Sequence, residues 1–221
     1  AMRLGAEVVA LSTWSTGAEL AYQLNHAEVE FLVAEENLRG RALIADIGQA
    51  GTDDIGCLAH VIVVDGPAEG GLIAFGDLPE LGRSIADPAA TADAARPDDT
   101  ACILYTSGST AAPKGVPLSS HNMLSNARVG VAEHKLTADD LIMSAAPFSH
   151  LFGLYSFHLA FCAGACNLLL PAFSPPDLAA LIDRDKPTAL FTGPAHIAAC
   201  FGVGLFESHD LSSLKLAVVS G

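Results

Sequence analysis

The chain has 221 residues, 51% of them hydrophobic and only 16% charged, which excludes a disordered chain and predicts a globular protein with a large buried core. Its formal net charge of −14 argues against nucleic acid as a partner, because duplex binding depends on Lys and Arg neutralising phosphates. A nucleotide remains compatible with this charge, since it needs only a local positive potential.

Short apolar runs alternate with Ala- and Leu-rich helical stretches, which predicts an α/β fold of parallel sheets covered by helices. Strands are predicted at 7–11, 31–34, 61–65, 102–105, 141–144, 166–170, 189–192 and 215–219. Helices are predicted at 16–25, with Ser15 or Thr16 as the cap, and at 119–131, 152–161 and 176–183. The polar, acidic and proline-containing stretch 85–100 predicts a linker between lobes 1–84 and 101–221.

An uncharged stretch lies between Asp140 and Asp177, and within it 151–170 is long enough to span a bilayer. His158, Gly164 and Asn167 interrupt this stretch. We therefore predict a buried helix followed by a strand, rather than a membrane span, and expect no transmembrane segment.

The five cysteines are scattered through apolar segments, which predicts buried free thiols in a reducing cytoplasm. Cys162 and Cys166 have no neighbouring residues that would complete a four-ligand metal site, so their burial is also expected to be structural. The histidines show no metal-ligand spacing, and no metal held by the protein is predicted.

One loop carries the strongest chemical signal. Residues 105–115 read Tyr-Thr-Ser-Gly-Ser-Thr-Ala-Ala-Pro-Lys-Gly and directly follow the apolar strand 102–105. Such a loop offers backbone N–H groups, hydroxyls and a lysine to phosphate oxygens. The Walker loop is excluded, because Lys114 has neither a glycine before it nor a hydroxyl residue after it.

The run resembles the Tyr-Thr-Ser-Gly-Thr-Thr-Gly-x-Pro-Lys-Gly signature of the adenylate-forming superfamily, which includes acyl-CoA synthetases, luciferases and adenylation domains of peptide synthetases. The family's second glycine is Ala111 here, and its methyl group would stiffen the loop. The resemblance implies that ATP, with its Mg²⁺, binds the following residues: Thr106, Ser107, Gly108, Ser109, Thr110 and Lys114.

A second segment, 147–154, resembles the family signature Pro-Leu-Phe-His-x-x-Gly. The resemblance places His150 at the substrate carboxylate and on the path of the incoming thiol, with Phe152 beside the substrate. A plain helix-capping histidine is the alternative interpretation of His150. Lys114 and His150 are the two residues to which the resemblance assigns catalytic roles.

Two further segments resemble family elements. Gly193 and Pro194 match a strand end that lines the acid pocket, although a plain strand-to-helix turn is an equal alternative. Ser220 and Gly221 end the strand that precedes the turn facing adenine. The resemblance also implies a partial large N-terminal domain, without the small C-terminal domain that bears the catalytic lysine.

The resemblance implies an ATP-dependent carboxylate–CoA ligase whose substrates are ATP, CoA and an apolar fatty, alicyclic or aryl acid. A peptide-synthetase adenylation domain is the first alternative, although no aspartate between 140 and 177 is available for an amino group. A nucleotide-binding or interaction module without turnover is the second. Residues 1–221 alone are expected to be inactive and to self-associate through exposed apolar surface.

Overall fold

The computed structural model describes residues 1–38, 40–49, 55–65, 70–84, 95–106 and 112–220. The chain divides into two compact units, Ala1–Pro117 and Leu118–Gly221. The predicted linker falls within the first unit, and its residues 85–94 lie outside the described part of the chain. A division into lobes at that linker stays a prediction.

The first unit contains short strands and helices. In chain order they are β1 (Val8–Ala10), α1 (Gly17–His26), β2 (Phe31–Ala34), β3 (Asn37–Leu38), β4 (Arg41–Ala42), α2 (Leu43–Gln49), β5 (His60–Val63), β6 (Ile73–Ala74), α3 (Leu78–Leu81), β7 (Thr100–Thr106) and β8 (Lys114–Ser119), the last ending just beyond the unit. Short 3₁₀ helices occupy Met2–Leu4, Phe75–Asp77 and Gly82–Ser84.

These strands form two three-stranded sheets, in the orders β1-β7-β8 and β2-β5-β6, together with the antiparallel pair β3–β4. β1 runs parallel to β7, with Val9 opposite Ile103. β2, β5 and β6 are also parallel, with Val33 opposite Ile62. The parallel pairing confirms the predicted α/β class for this half of the chain.

Helix α1 begins where the sequence predicts. The hydroxyl of Thr16 accepts the backbone N–H of Glu19, and the Glu19 carboxylate accepts the backbone N–H of Thr16 at 2.7 Å. This reciprocal capping box satisfies two donors at the helix N-terminus. Leu20 and Leu24 on α1 are buried in a core with Leu32 of β2, so the helix is held against the β2 sheet.

The second unit is a four-stranded parallel sheet in the order β10-β9-β11-β12. Its elements are α4 (Ser120–His134), β9 (Leu141–Ser144), α5 (Leu151–Ala163), β10 (Cys166–Leu168), α6 (Pro175–Asp185), β11 (Ala189–Thr192), α7 (Pro194–Gly202), α8 (Leu205–Ser208) and β12 (Leu216–Val219). Ser119 caps α4 by a capping box with Asn122.

Both faces of this sheet are covered by helices, as predicted. Ile142 and Phe191 point into a core shared with Leu159 of α5. Their neighbours Met143 and Leu190 point into the opposite core. Because successive strand side chains alternate between faces, two cores on one sheet mean helices on both sides. The sheet therefore has the α/β class that the resemblance to adenylate-forming N-terminal domains implies.

Several details differ from the sequence predictions. Strand β8, which carries Lys114, was not predicted, because Gly115 and Pro117 are residues that weaken a strand pattern. Pro194 is the first residue of helix α7, which agrees with the strand-to-helix turn given as the alternative for this segment. Cys102 and Cys200 are buried, Cys162 is half-buried, and Cys57 and Cys166 are exposed, so the prediction of buried thiols was wrong for Cys57 and Cys166.

The uncharged stretch folds into α5 and β10, the helix and strand that were expected. Among the described residues, none of the helices combines the length and the apolar character that crossing a bilayer requires. Gly164 ends α5 in the left-handed conformation, with a φ of 68°.

Asp140 ties together the amino ends of three strands in the second unit. Its carboxylate accepts the backbone N–H of Thr137 at 2.8 Å and the hydroxyl of Thr188 at 2.8 Å, and lies 3.8 Å from Lys215 Nζ. The bond from the Thr137 N–H is the main cause that lowers the pKa of Asp140, and Thr188 and Lys215 add to it. The charged form therefore stabilises the fold.

We expect Asp140→Asn to lower the free energy of unfolding by about 1–2 kcal/mol at pH 7, because charged hydrogen bonds are lost. A folded-state pKa below the ordinary carboxyl value gives a contribution that is complete above that value and disappears as the pH falls through the folded-state pKa. Urea unfolding at pH 7 and at pH 3 measures both effects. The exposed neighbour Asp139 supplies the control Asp139→Asn, and an equal loss in both variants at pH 7 would contradict the assignment.

Candidate functional site

The strand order of the second unit defines where a ligand would bind. The chain passes from β9 through α5 to β10 on one side, and then through α6 to β11 on the other side of β9. The order therefore reverses between β9 and β11. In open parallel sheets, ligands bind at the carboxyl ends of the strands at such a switch point. The segments that follow β9 and β11 carry His150 and His196.

The carboxyl ends of these two strands are joined directly. The backbone N–H of Ala145, just beyond β9, donates to the carbonyl of Phe191 in β11 at 2.8 Å. Residues 145–150 then lead into α5, while Gly193 leads into α7. Both helices thus begin at the same edge of the sheet, with the positive ends of their dipoles at that edge.

His150 is the N-cap of α5. Its Nδ1 accepts the backbone N–H of Phe152 at 3.2 Å, and its side chain is exposed. Capping was the structural alternative for this residue, but capping and ligand binding are compatible. A neutral imidazole whose Nδ1 accepts a hydrogen bond carries its proton on Nε2. The cap therefore leaves Nε2–H as a donor.

His196 also takes part in a helix cap, as the third residue of α7 reaching back to the N-cap Gly193, and sequence reasoning missed it. Its Nδ1 accepts the backbone N–H of Gly193 at 3.2 Å, and its ring centroid lies 4.4 Å from that of Phe173. Burial lowers the pKa of His196, and His150 lowers it further. His196 is therefore neutral at pH 7 with Nε2–H as its donor. A capping pattern of Gly-Pro-x-His could have signalled it.

Apolar side chains surround the start of α5. Phe148 is 38% exposed and Leu151 is 54% exposed, and the Phe148 ring lies 5.6 Å from that of Phe157. Phe152, the predicted substrate residue, packs instead toward the core, with its ring 5.8 Å from Phe191. Phe148 and Leu151 therefore present more apolar surface beside His150 than Phe152 does.

The other predicted acid-side and adenine-side residues lie along the same edge. Gly193 caps α7 and Pro194 is its first residue. A Cβ added at Gly193 would lie 3.5 Å from both His196 Nδ1 and the Ser220 carbonyl, so its close neighbours are protein atoms. Ser220 follows β12 and donates its N–H to the Thr192 carbonyl at 3.1 Å. Gly221 lies outside the described residues.

The predicted phosphate loop belongs to the first unit. Thr106 is exposed at the carboxyl end of β7, and Lys114 is exposed at the start of β8. Ser107, Gly108, Ser109, Thr110 and Ala111 lie outside the described residues. β7 and β8 are neighbours in one sheet, so Thr106 and Lys114 are held by the strands on either side of the loop.

Within the described ranges, there is no cluster of three or more His, Cys, Asp or Glu side chains suited to a metal ion.

These features agree with comparisons to known proteins. The family model for AMP-binding enzymes matches residues 1–221. The chain belongs to the AMP-binding enzyme family.

Several of the similar proteins are acid–CoA ligases. A medium-chain fatty-acid–CoA ligase of Escherichia coli is 28% identical over all of this chain and 38% of its own length. A methyl-dioxo-octahydroindenyl-propanoyl:CoA ligase of Mycobacterium tuberculosis is 31% identical over 97% of this chain and 42% of its own. This chain therefore spans about two fifths of these relatives.

Solved structures have the same fold as this chain. The crystal structure of an anthranilate CoA ligase, AuaEII, in complex with anthranoyl-AMP superposes with a TM-score of 0.86 and 26% identity. The match covers 98% of this chain and 41% of that one.

Proposed function

We propose that the full-length protein is an ATP-dependent carboxylate–CoA ligase that activates an apolar acid. In the first half-reaction a carboxylate oxygen attacks the α-phosphorus of ATP, giving an acyl-adenylate and pyrophosphate. In the second, the CoA thiolate attacks the acyl carbon, and AMP leaves with the oxygen that came from the acid. The family match over the whole chain is the observation that carries this proposal.

The triphosphate is assigned to the loop between β7 and β8. Negative charge grows on the non-bridging and leaving oxygens when the α-phosphorus is attacked, so the site must present donors and positive charge. Thr106, Lys114 and the intervening Ser107, Gly108, Ser109 and Thr110 provide such groups. Magnesium brought with ATP would neutralise the remaining charge.

The acid is assigned to the carboxyl edge of the second unit. The Nε2–H of His150 would donate to a carboxylate oxygen and orient the acid, as a positioned hydrogen bond can. The apolar side chains Phe148 and Leu151 lie near this donor and suit an apolar acyl group. Fatty-acid, indenyl-propanoyl and anthranilate ligases among the relatives support a fatty, alicyclic or aryl acid.

Carboxylate-dependent exchange of labelled pyrophosphate into ATP tests the first half-reaction. The panel contains fatty, alicyclic, aryl and amino acids, with the full-length protein and residues 1–221 assayed side by side. We expect exchange by the full-length protein with an apolar acid, and none by residues 1–221. Exchange with amino acids alone would favour an adenylation domain, and no exchange with any acid would favour a module without turnover.

Variants of His150 separate its role as the helix N-cap from its proposed role in orienting the acid. Asparagine is a good N-cap and its amide can accept the Phe152 N–H, but it lacks the Nε2–H. We expect His150→Asn to keep the stability of the protein while kcat/KM for the acid falls by about tenfold or more. His150→Ala should show the same kinetic loss and also lose about 1 kcal/mol of stability. Unchanged kinetics in His150→Asn would leave the residue with capping alone.

A further inference from the structure

A hydrogen-bonded cluster of three aromatic residues joins α1 to both ends of the stretch 107–111. The Tyr22 hydroxyl donates to the carbonyl of Pro113 at 3.1 Å. The Tyr105 hydroxyl lies 2.8 Å from His26 Nδ1 and donates to the carbonyl of Gln23 at 3.3 Å. Tyr105 comes just before Thr106, and Pro113 comes just before Lys114. We call Tyr22, His26 and Tyr105 the tyrosine–histidine cluster.

Helix α1 carries two residues of this cluster and is anchored by its buried face and its N-terminal cap. Tyr22 and His26 are four residues apart and therefore lie on one face of the helix, with ring centroids 5.4 Å apart. Leu24 is fully buried and Leu20 is nearly so, in the core that holds α1 against β2. The capping box at Thr16 fixes the other end of α1.

The hydroxyl of Tyr105 defines the protonation pattern of the cluster. A hydroxyl has one proton to donate. Both contacts are hydrogen bonds when that proton goes to the Gln23 carbonyl and His26 Nδ1–H donates to the Tyr105 oxygen. Burial, and secondarily Tyr22, raises the pKa of Tyr105, so the hydroxyl keeps its proton.

The ring of Tyr105 is also in contact with β8. A Cβ added at Gly115 would lie 3.1 Å from Ile103 Cγ2 and 3.4 Å from Tyr105 Cζ. The Ile103 side chain would have to shift by a few tenths of an ångström to admit a Cβ at Gly115, so β8 packs closely here against side chains of β7. Tyr105 is therefore held by α1 through its hydroxyl and by the residue after Lys114 through its ring.

We propose that Tyr22, His26 and Tyr105 are positioning residues that hold the ends of β7 and β8, and so place Thr106 and Lys114 for ATP. This inference rests on the proposed function. The three residues act through the strand ends and touch no reacting atom. Their loss should therefore affect ATP rather than the acid.

The kinetic test uses the full-length protein and the variants Tyr22→Phe, Tyr105→Phe, His26→Ala and His26→Asn. We expect Tyr105→Phe, Tyr22→Phe and His26→Ala each to raise KM for ATP by about two- to tenfold, the range that one lost hydrogen bond gives. KM for the acid should not change. His26→Asn places an amide N–H near the Nδ1 position and should restore much of the ATP affinity.

The third tyrosine of the chain provides a matched control. Tyr155 lies on α5 in the second unit, where its ring is 6.2 Å from that of Phe191. Tyr155→Phe also removes one hydroxyl, and it should leave KM for ATP unchanged. Equal KM values for ATP in all variants, a parallel rise in KM for the acid, or no rescue by His26→Asn would each overturn the inference.

Amide hydrogen exchange keeps this test separate from the proposed function. Without substrates, Tyr22→Phe and Tyr105→Phe should speed amide hydrogen exchange at residues 103–106 and 114–116, and Tyr155→Phe should not. If the wild-type protein shows no pyrophosphate exchange with any acid, the proposed function fails, and the inference about ATP fails with it even where the strand ends loosen. If the wild type catalyses pyrophosphate exchange but amide hydrogen exchange at the ends of β7 and β8 is unchanged in the variants, only the inference fails.

Discussion

Lys114→Ala is expected to lower kcat/KM for ATP in pyrophosphate exchange by about 100-fold or more. Removing one preorganised donor at developing negative charge costs this much in other enzymes. Lys114 is the charged residue of the predicted loop, and its position at the start of β8 is held by the pairing of β8 with β7. Lys114→Arg keeps the positive charge, but the guanidinium differs from the ammonium in shape and reach. This variant should therefore recover only part of the rate.

A second lysine controls for the change in net charge. Lys215 is 71% exposed beside Asp140, at the amino edge of the second sheet. Lys215→Ala removes the same charge at the edge opposite His150, and we expect less than a twofold change in kcat/KM for ATP. Equal losses in Lys114→Ala and Lys215→Ala would show a general charge effect and would remove Lys114 from the proposed phosphate site.

Gly153→Ala is expected to destabilise the second unit by about 3 kcal/mol. A Cβ at Gly153 would collide with the carbonyl oxygen of Pro147 and lie 2.5 Å from that of Ala146. These are backbone atoms of the segment that carries His150, so relief requires the start of α5 to move. The variant should therefore lose activity as well as stability, as urea unfolding and pyrophosphate exchange would show.

Gly202 provides the matched control for Gly153→Ala. It lies in α7 of the same unit, and a Cβ there would meet no atom within 4 Å. Gly202→Ala should be neutral or should stabilise by up to about 1 kcal/mol, because alanine favours helix over glycine. If both glycine variants had the same stability, close packing at Gly153 would not explain why a glycine occupies this position.

The sequence predicted the parallel sheet of the second unit well, because its strands are short, continuous apolar runs between turn residues. β9 and β11 were placed correctly at both ends. β8 was missed because Gly115 and Pro117 disturb any alternation, and its place beside β7 is a contact between separate segments of the chain. Such contacts between distant residues leave no periodic pattern in the chain.

The candidate site was only partly predictable, because contacts between residues distant in the chain leave no local sequence pattern. His150 was found from a motif that resembles the family signature, whereas its tautomer depends on a 3.2 Å bond to the Phe152 N–H. His196 lies in a Gly-Pro-x-His pattern that was not interpreted as a cap, and its place near His150 follows from the neighbouring strands β9 and β11. Likewise, nothing in the local sequence links Tyr22 with Pro113, 91 residues away.

Transfer of oxygen from the acid to AMP tests the central claim most directly. The full-length protein is incubated with ATP, CoA and the preferred acid labelled with ¹⁸O in its carboxylate, and AMP is examined by mass spectrometry. Attack of the carboxylate on the α-phosphorus predicts AMP that carries one ¹⁸O and unlabelled pyrophosphate. Label in inorganic phosphate, with ADP as the nucleotide product, would show attack at the γ-phosphorus and would contradict the account.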